Sequence, residues 1–113
     1  MKILYVEDDQ EQRTLGKEML QLDGHTVDTA ENPGQATEMY QENPYDLVIT
    51  DYLFNGDSTG LDLAEQLDAE VMIYSGYNRE FIERDFQGEK PEFGFMQKGS
   101  GWGEIREIIS EEK

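Results

Sequence analysis

Five short apolar runs, each too brief for a helix and each followed by a helix-like stretch, restrict what this chain can become. They are "KILYV" (2–6), "HTVDT" (25–29), "DLVIT" (46–50), "VMIYS" (71–75) and "FGFM" (93–96). Short runs rich in Val, Ile and aromatic residues predict strands. Between the first two, Leu15, Met19 and Leu22 recur at helical spacing, Asp9 and Gln12 have the form of a capping box, and Gly24 supplies the stop. Asn32-Pro33-Gly34-Gln35 opens a second helix whose apolar face is Ala36, Met39 and Tyr40, and Asn43-Pro44 ends it. A third helix is expected from Ser58 or Thr59, burying Leu61, Ala64 and Leu67. A fourth presents Phe81, Ile82 and Phe86, and a fifth runs from Ser100 with Ile105, Ile108 and Ile109 inward.

The pattern is (βα)5. Strict alternation predicts a doubly wound, flavodoxin-like α/β fold, a five-stranded parallel sheet with helices on both faces joined by right-handed crossovers. Leu47-Val48-Ile49, apolar without alternation, suits a central strand buried on both sides. A chain of 113 residues has room for one domain and one core, so residues 1–113 are expected to form a single unit. Ligands of such sheets bind beyond the carboxyl ends of the strands, where strand order reverses. The residues just after each strand therefore matter most for function.

Charge narrows the partners. With 26 acidic against 9 basic residues, the formal charge is -17, which repels nucleic acid backbones and anionic membranes. A macromolecular partner is expected to be a protein, with no direct nucleic acid contact and no membrane insertion. The absence of cysteine rules out a disulfide framework or thiolate metal site and fits a reducing cytoplasm. Met1-Lys2-Ile3 leads directly into an apolar run far shorter than a signal peptide, so a soluble, cytoplasmic protein is expected.

The strand ends carry Glu7-Asp8-Asp9, then Asp51, then Ser75-Gly76, then Lys98. Asp9 is accounted for as a helix cap. The remaining carboxylates on one rim repel one another and raise their own pKa values unless a cation neutralises them. Oxygen-only ligands favour a hard cation over zinc or copper. The single histidine, His25, is expected at the start of an edge strand without a chemical role. Magnesium would keep several waters, take one or two carboxylates from among Glu7, Asp8 and Asp51, and leave a position for a phosphoryl oxygen. Lys98 and Ser75 would meet two further oxygens, with Asp51 as the carboxylate nucleophile of an in-line phosphoryl transfer.

Four ordered motifs, "YVEDD", "DLVITD", "YSG" and "FMQK", resemble the receiver domain of two-component response regulators over essentially the whole chain, in the manner of single-domain chemotaxis and phosphorelay regulators. The resemblance implies that Glu7 and Asp8 hold magnesium, that Asp51 is the phosphorylation site and that the backbone carbonyl of Leu53 joins the metal ligands. It implies that Ser75 senses the phosphoryl group, that Lys98 is the family's lysine and that Phe95 is its switch aromatic. The donor would be a histidine kinase or histidine phosphotransfer protein, and the output an unidentified protein. The chain would be a switch with self-catalysed phosphotransfer and slow autodephosphorylation, and no enzyme beyond that. In the family, residues two after the phosphorylated acid and two after the hydroxyl residue border the path of the hydrolytic water. Here these are Leu53, whose side chain cannot hydrogen-bond a water, and Tyr77, bulky enough to obstruct one, so a long-lived phosphoryl group is expected.

Three departures stand out. Gly99 replaces the proline that commonly follows the lysine, the loop "YLFNGDSTG" lacks a proline, and the short interval from Asp51 to Ser75 predicts a truncated third helix. Among rivals, a haloacid-dehalogenase-like phosphatase would want an acid at Leu53, and a flavodoxin-type phosphate loop would not open with Glu7-Asp8-Asp9. The serious alternative is a receiver-like protein-interaction domain that works without phosphorylation. "GSGWG" (99–103) precedes no further strand, so it cannot build a dinucleotide site, and Trp102 is expected to cover the apolar end of the last helix.

Overall fold

The computed structural model describes residues 1–54, 59–85, 93–98 and 102–111, and strands and helices alternate as expected. In chain order the elements are β1 (Lys2–Val6), α1 (Gln10–Gln21), β2 (Thr26–Ala30), α2 (Pro33–Glu42), β3 (Leu47–Thr50), α3 (Gly60–Gln66), β4 (Val71–Ser75), α4 (Arg79–Asp85), β5 (Gly94–Gln97) and α5 (Trp102–Glu111). All four strand pairings are parallel and the order across the sheet is β2-β1-β3-β4-β5, a doubly wound, flavodoxin-like arrangement. Strand order reverses between β1 and β3, so the carboxyl ends of these two strands flank the natural binding crevice.

The continuous apolar runs are explained by burial on both faces. Ile3, Tyr5, Leu47, Ile49, Met72 and Tyr74 pack with Leu20 of α1 and Ile105 and Ile109 of α5. Leu4, Val6, Val48, Val71 and Ile73 pack with Ala36 of α2, Leu61, Leu63 and Ala64 of α3 and Ile82 of α4. Each fully buried aliphatic side chain contributes ~1.5–3 kcal/mol. Caps fix where the helices begin. Asn32 Oδ1 accepts from the Gln35 backbone N–H at 2.8 Å, and Thr59 and Asp62 form a reciprocal capping box that starts a seven-residue α3. Among the described residues no helix is long and apolar enough to cross a membrane.

The expected face of α1 needs correction. Leu15 is 50% and Leu22 67% exposed, whereas Gly16 and Leu20 are buried. Gly16 lets α1 approach Trp102: a Cβ there would stand 2.7 Å from Trp102 Cζ2 and would collide with the Tyr5 ring. The contact row is thus centred on a residue without a side chain, which a count of apolar residues passes over. Only half of the expected Asp9–Gln12 capping box forms. Asp9 Oδ1 accepts from the Gln12 backbone N–H at 3.0 Å, but the Gln12 side chain turns elsewhere. In α4, Ile82 is buried while Phe81 stays largely exposed. His25 is buried just before the edge strand β2, its Nδ1 3.0 Å from the Met1 amino nitrogen. Ser58, Phe86, Gly99, Ser100 and the Ile108 side chain lie outside the described residues.

Candidate functional site

Backbone pairing carries three charged residues one step past their strands. The Glu7 N–H donates to the Ala30 carbonyl at 3.0 Å, the Asp51 N–H to the Val6 carbonyl at 3.2 Å and the Lys98 N–H to the Ser75 carbonyl at 2.7 Å. Each bond continues a ladder just beyond the strand end, so the side chains emerge together on the carboxyl rim. There the Lys98 ammonium donates to Glu7 Oε1 at 2.9 Å, to Asp51 Oδ2 at 2.9 Å and to Gln12 Oε1 at 2.8 Å. An ammonium has three N–H groups, and these three acceptors match them.

Glu7, Asp8 and Asp51 each offer a carboxylate oxygen, and the three oxygens lie within 4.8 Å of one another. Asp51 Oδ1, the oxygen that Lys98 does not hold, accepts from the Tyr52 N–H at 2.7 Å. Arg13 braces the acids from behind. Its Nη1 donates to the Glu7 carbonyl at 2.9 Å and to the Asp8 carbonyl at 3.4 Å, and its Nη2 stands 3.5 Å from the Glu31 carboxylate. Gly60 allows α3 to start directly against the Asp51 backbone: its N–H donates to the Tyr52 carbonyl at 2.7 Å, and an added Cβ would overlap the Asp51 carbonyl oxygen.

Glu7 is only 1% exposed. Burial raises its carboxyl above the ordinary range, the bonded Lys98 opposes that rise, and Asp51 and Asp8 reinforce it. For Lys98, burial works to lower the pKa, but hydrogen bonds to Glu7 and Asp51 and their charges outweigh it and leave the ammonium's pKa raised. The lysine therefore stays charged, yet one ammonium faces three carboxylates. An oxygen-only donor set with an excess of negative charge fits a hard divalent cation.

An aromatic floor underlies the lysine. Lys98 Nζ lies 5.7 Å from the Tyr74 ring centroid, and Trp102 packs 4.9 Å from Tyr74 and edge-on to Tyr5 at 5.5 Å. Trp102, the first residue of α5, thus packs on the aromatic rings of β1 and β4. The Tyr5 hydroxyl is buried without a hydrogen-bond partner among the described residues, and burial, followed by the Glu7 charge, pushes its pKa well up, so it remains a neutral phenol.

The other residues singled out from sequence surround this group. Ser75 is buried, and its Oγ accepts from the Tyr77 N–H at 3.2 Å. Ile73 pairs with Phe95 and Ser75 with Gln97 in the β4–β5 register, so Ser75 and Phe95 belong to the same sheet face, two residues apart. Phe95 is half-buried against the core cluster of that face. Leu53 is 39% exposed and bridges to Thr59. Tyr77 is 42% exposed, its ring stacked on Phe81 of α4 with centroids 4.6 Å apart. Among the described residues no hydrogen bond links Ser75 to the acids. Gln12 and Arg13 were not singled out from sequence as site residues. For Gln12 the capping-box spacing gave a sufficient local explanation, and for Arg13 the signal is only its place one helical turn past the acids.

The sequence profile of the response regulator receiver domain matches residues 3–109. No curated protein matches the chain. Among solved structures, the response regulator protein TrrA from Thermotoga maritima, in complex with Mg(2+)-BeF, is 30% identical, with 97% of this chain and 96% of that one covered and a TM-score of 0.81. A receiver domain protein from Clostridium thermocellum is 22% identical over 97% of this chain and 91% of its own, with a TM-score of 0.81. A receiver domain from Methylobacillus flagellatus is 22% identical over 100% and 98%, with a TM-score of 0.78. The last two likenesses bear on the fold alone.

Proposed function

The chain belongs to the response regulator receiver domain family, whose members are phosphoacceptor signalling switches, and from that premise we propose that Asp51 accepts a phosphoryl group from a phosphohistidine donor. The observation that carries this reading is the Lys98 ammonium shared between Glu7 and Asp51 beside Asp8, at the point where strand order reverses. The donor would be a histidine kinase or a histidine phosphotransfer protein, met in the cytoplasm, and the output would be a change in contacts with another protein.

Glu7, Asp8, Asp51 and the Leu53 carbonyl would hold magnesium, which supplies charge neutralisation for the phosphoryl oxygens. That TrrA was solved with Mg(2+)-BeF supports the assignment. The Asp51 oxygen forms a bond to phosphorus as the bond from phosphorus to the donor nitrogen breaks, and the electron pair leaves with the imidazole. Asp51 loses its negative charge in the acyl phosphate, so the Lys98 N–H that it held turns to a phosphoryl oxygen. Ser75 would exchange its bond from the Tyr77 N–H for one to a second phosphoryl oxygen. That movement frees space on the Phe95 face of the sheet and connects the site to the surface of α4, β5 and α5.

Intact mass after incubation with magnesium and acetyl phosphate tests the reading. Wild type is expected to gain one phosphoryl group, and Asp51→Asn none with its fold intact. A phosphate mapped to Asp8 would overturn the roles, and a wild type that gains none would favour an interaction domain working without phosphorylation.

A further inference from the structure

Gln12 stands at the third position of α1, where its backbone N–H is capped by Asp9 Oδ1 at 3.0 Å. A reciprocal capping box would return its side chain to the Asp9 N–H. That N–H instead points to Glu7 Oε2 at 3.4 Å, and the Gln12 amide oxygen accepts from Lys98 Nζ at 2.8 Å. Neighbouring Arg13 grips the carbonyls of Glu7 and Asp8. The first turn of α1 therefore holds both the backbone of the acids and the head of the lysine.

The three acceptors around the ammonium differ in kind. Glu7 and Asp51 are the carboxylates that a divalent cation and an incoming phosphoryl group compete for, whereas Gln12 is a neutral amide with little attraction for either. As the site fills, Lys98 loses the exclusive use of two partners and keeps the third. A lysine head on a flexible four-carbon stem has much rotamer freedom to regain once released.

We infer, on the basis of the function proposed above, that Gln12 is a positioning residue for Lys98, and that its amide oxygen keeps the ammonium over the Asp51 rim while the carboxylates change partners. Because Gln12 is exposed, its replacement leaves the core untouched. The cost falls on phosphoryl transfer and acts entirely through Lys98.

The experiment compares wild type, Gln12→Leu, Lys98→Ala and the double variant as full chains. Melting temperature and magnesium affinity are expected to be nearly the same in Gln12→Leu and wild type. The initial rate of Asp51 phosphorylation by acetyl phosphate at saturating magnesium should fall about tenfold, the usual consequence of losing one hydrogen bond to a charged group. In the Lys98→Ala background, Gln12→Leu should change the rate no further, since the residue it positions is gone. A readout independent of phosphorylation is the Lys98 ammonium resonance in a 15N spectrum. It should stay protected from solvent exchange when magnesium is added to wild type and lose protection in Gln12→Leu. Equal rates in Gln12→Leu and wild type, or a further rate loss in the double variant, would overturn the inference while leaving the phosphoacceptor function standing. A wild type that takes no phosphoryl group would overturn both.

Discussion

The hydroxyl of Tyr52 donates to Asp85 Oδ2 across 2.5 Å, joining the residue beside Asp51 to the last turn of α4. Burial, followed by the bond to Asp85, pushes the Tyr52 phenol well above its ordinary pKa, so the proton stays on the tyrosine and the carboxylate is the acceptor. Tyr52→Phe removes the donor and leaves Asp85 without it, at an expected cost of ~1.5–3 kcal/mol for a hydrogen bond to a charged group. Urea unfolding measures that loss. Asp85→Asn retains an acceptor oxygen and should cost less; a larger loss in the asparagine variant would contradict this account of the bond.

That bond shows where sequence was legible and where it stopped. The strand runs fixed the sheet because Leu47, Val48 and Ile49 have only one sensible environment, a strand buried on both faces. The acids and Lys98 were legible because each directly follows such a run. Side chains meeting across distant elements were not, since nothing local in Tyr52 or Asp85 indicates the other. The inward face of α1 was misassigned because Gly16 contributes the contact by lacking atoms, and the Gln12 contact was hidden behind a capping motif that the residue only half fulfils.

Gly60 makes the junction between Asp51, the proposed phosphoacceptor, and α3 a steric test. A Cβ there would overlap the Asp51 carbonyl oxygen and stand 2.9 Å from Ile73 Cδ1. Gly60→Ala should therefore destabilise the fold by roughly 1–3 kcal/mol, the usual range for overpacking, although alanine is the better helix former. It should also weaken magnesium binding by displacing Asp51. A variant as stable as wild type with unchanged metal affinity would mean that the backbone yields there at no cost.

In the proposed site magnesium and Lys98 would neutralise the same carboxylates, so their effects on stability should be coupled. In wild type without metal, Lys98 already pairs with Glu7 and Asp51, and magnesium at a hundred times its Kd should add about 2.7 kcal/mol. Lys98→Ala leaves the buried Glu7 carboxylate unpaired and should cost roughly 3 kcal/mol without metal. The rise in melting temperature on adding magnesium should be greater in Lys98→Ala than in wild type and smaller in Asp8→Asn. Identical rises in all three would argue against metal at these carboxylates.

Tyr45 gives a pH dependence well away from the site. Its hydroxyl donates to Asp28 Oδ2 at 2.7 Å, and the Lys2 ammonium lies over its ring at 4.9 Å. Burial, then the bond to Asp28, pushes the phenol from 10.0 up to about 12. The folded chain holds this proton more tightly than the unfolded one, so the stabilisation is complete below the unfolded value and disappears as pH rises through the folded value. Wild type should be ~1.5–3 kcal/mol more stable than Tyr45→Phe at neutral pH, since the acceptor is a charged group. That difference should shrink between 10.0 and about 12, and a constant difference across the window would exclude the phenol as its source.

The lifetime of the proposed acyl phosphate depends on whether a water can stand in line behind phosphorus. By the family resemblance Leu53 and Tyr77 would border that path; Leu53 has no polar side-chain atom, and Tyr77 carries its hydroxyl at the far end of a ring stacked on Phe81. Leu53 is partly exposed beside Asp51, and its side chain has no polar atom. Tyr77 stacks on Phe81 with ring planes 16° apart, which directs the ring over α4. Slow hydrolysis should therefore come chiefly from the apolar Leu53, with Tyr77 contributing by failing to assist rather than by obstructing. The double variant Leu53→Asn, Tyr77→Glu supplies two groups able to orient the water, and phosphate loss should accelerate on the order of 10-fold or more. Leu53→Asn alone should give the larger part of that gain, and Tyr77→Ala, which merely opens space, should give little. Measuring phosphate release from the purified phosphoprotein separates these cases. If Tyr77→Ala accelerates hydrolysis as much as the double variant, the ring blocks the path after all; if all three variants match wild type, these two side chains do not control access.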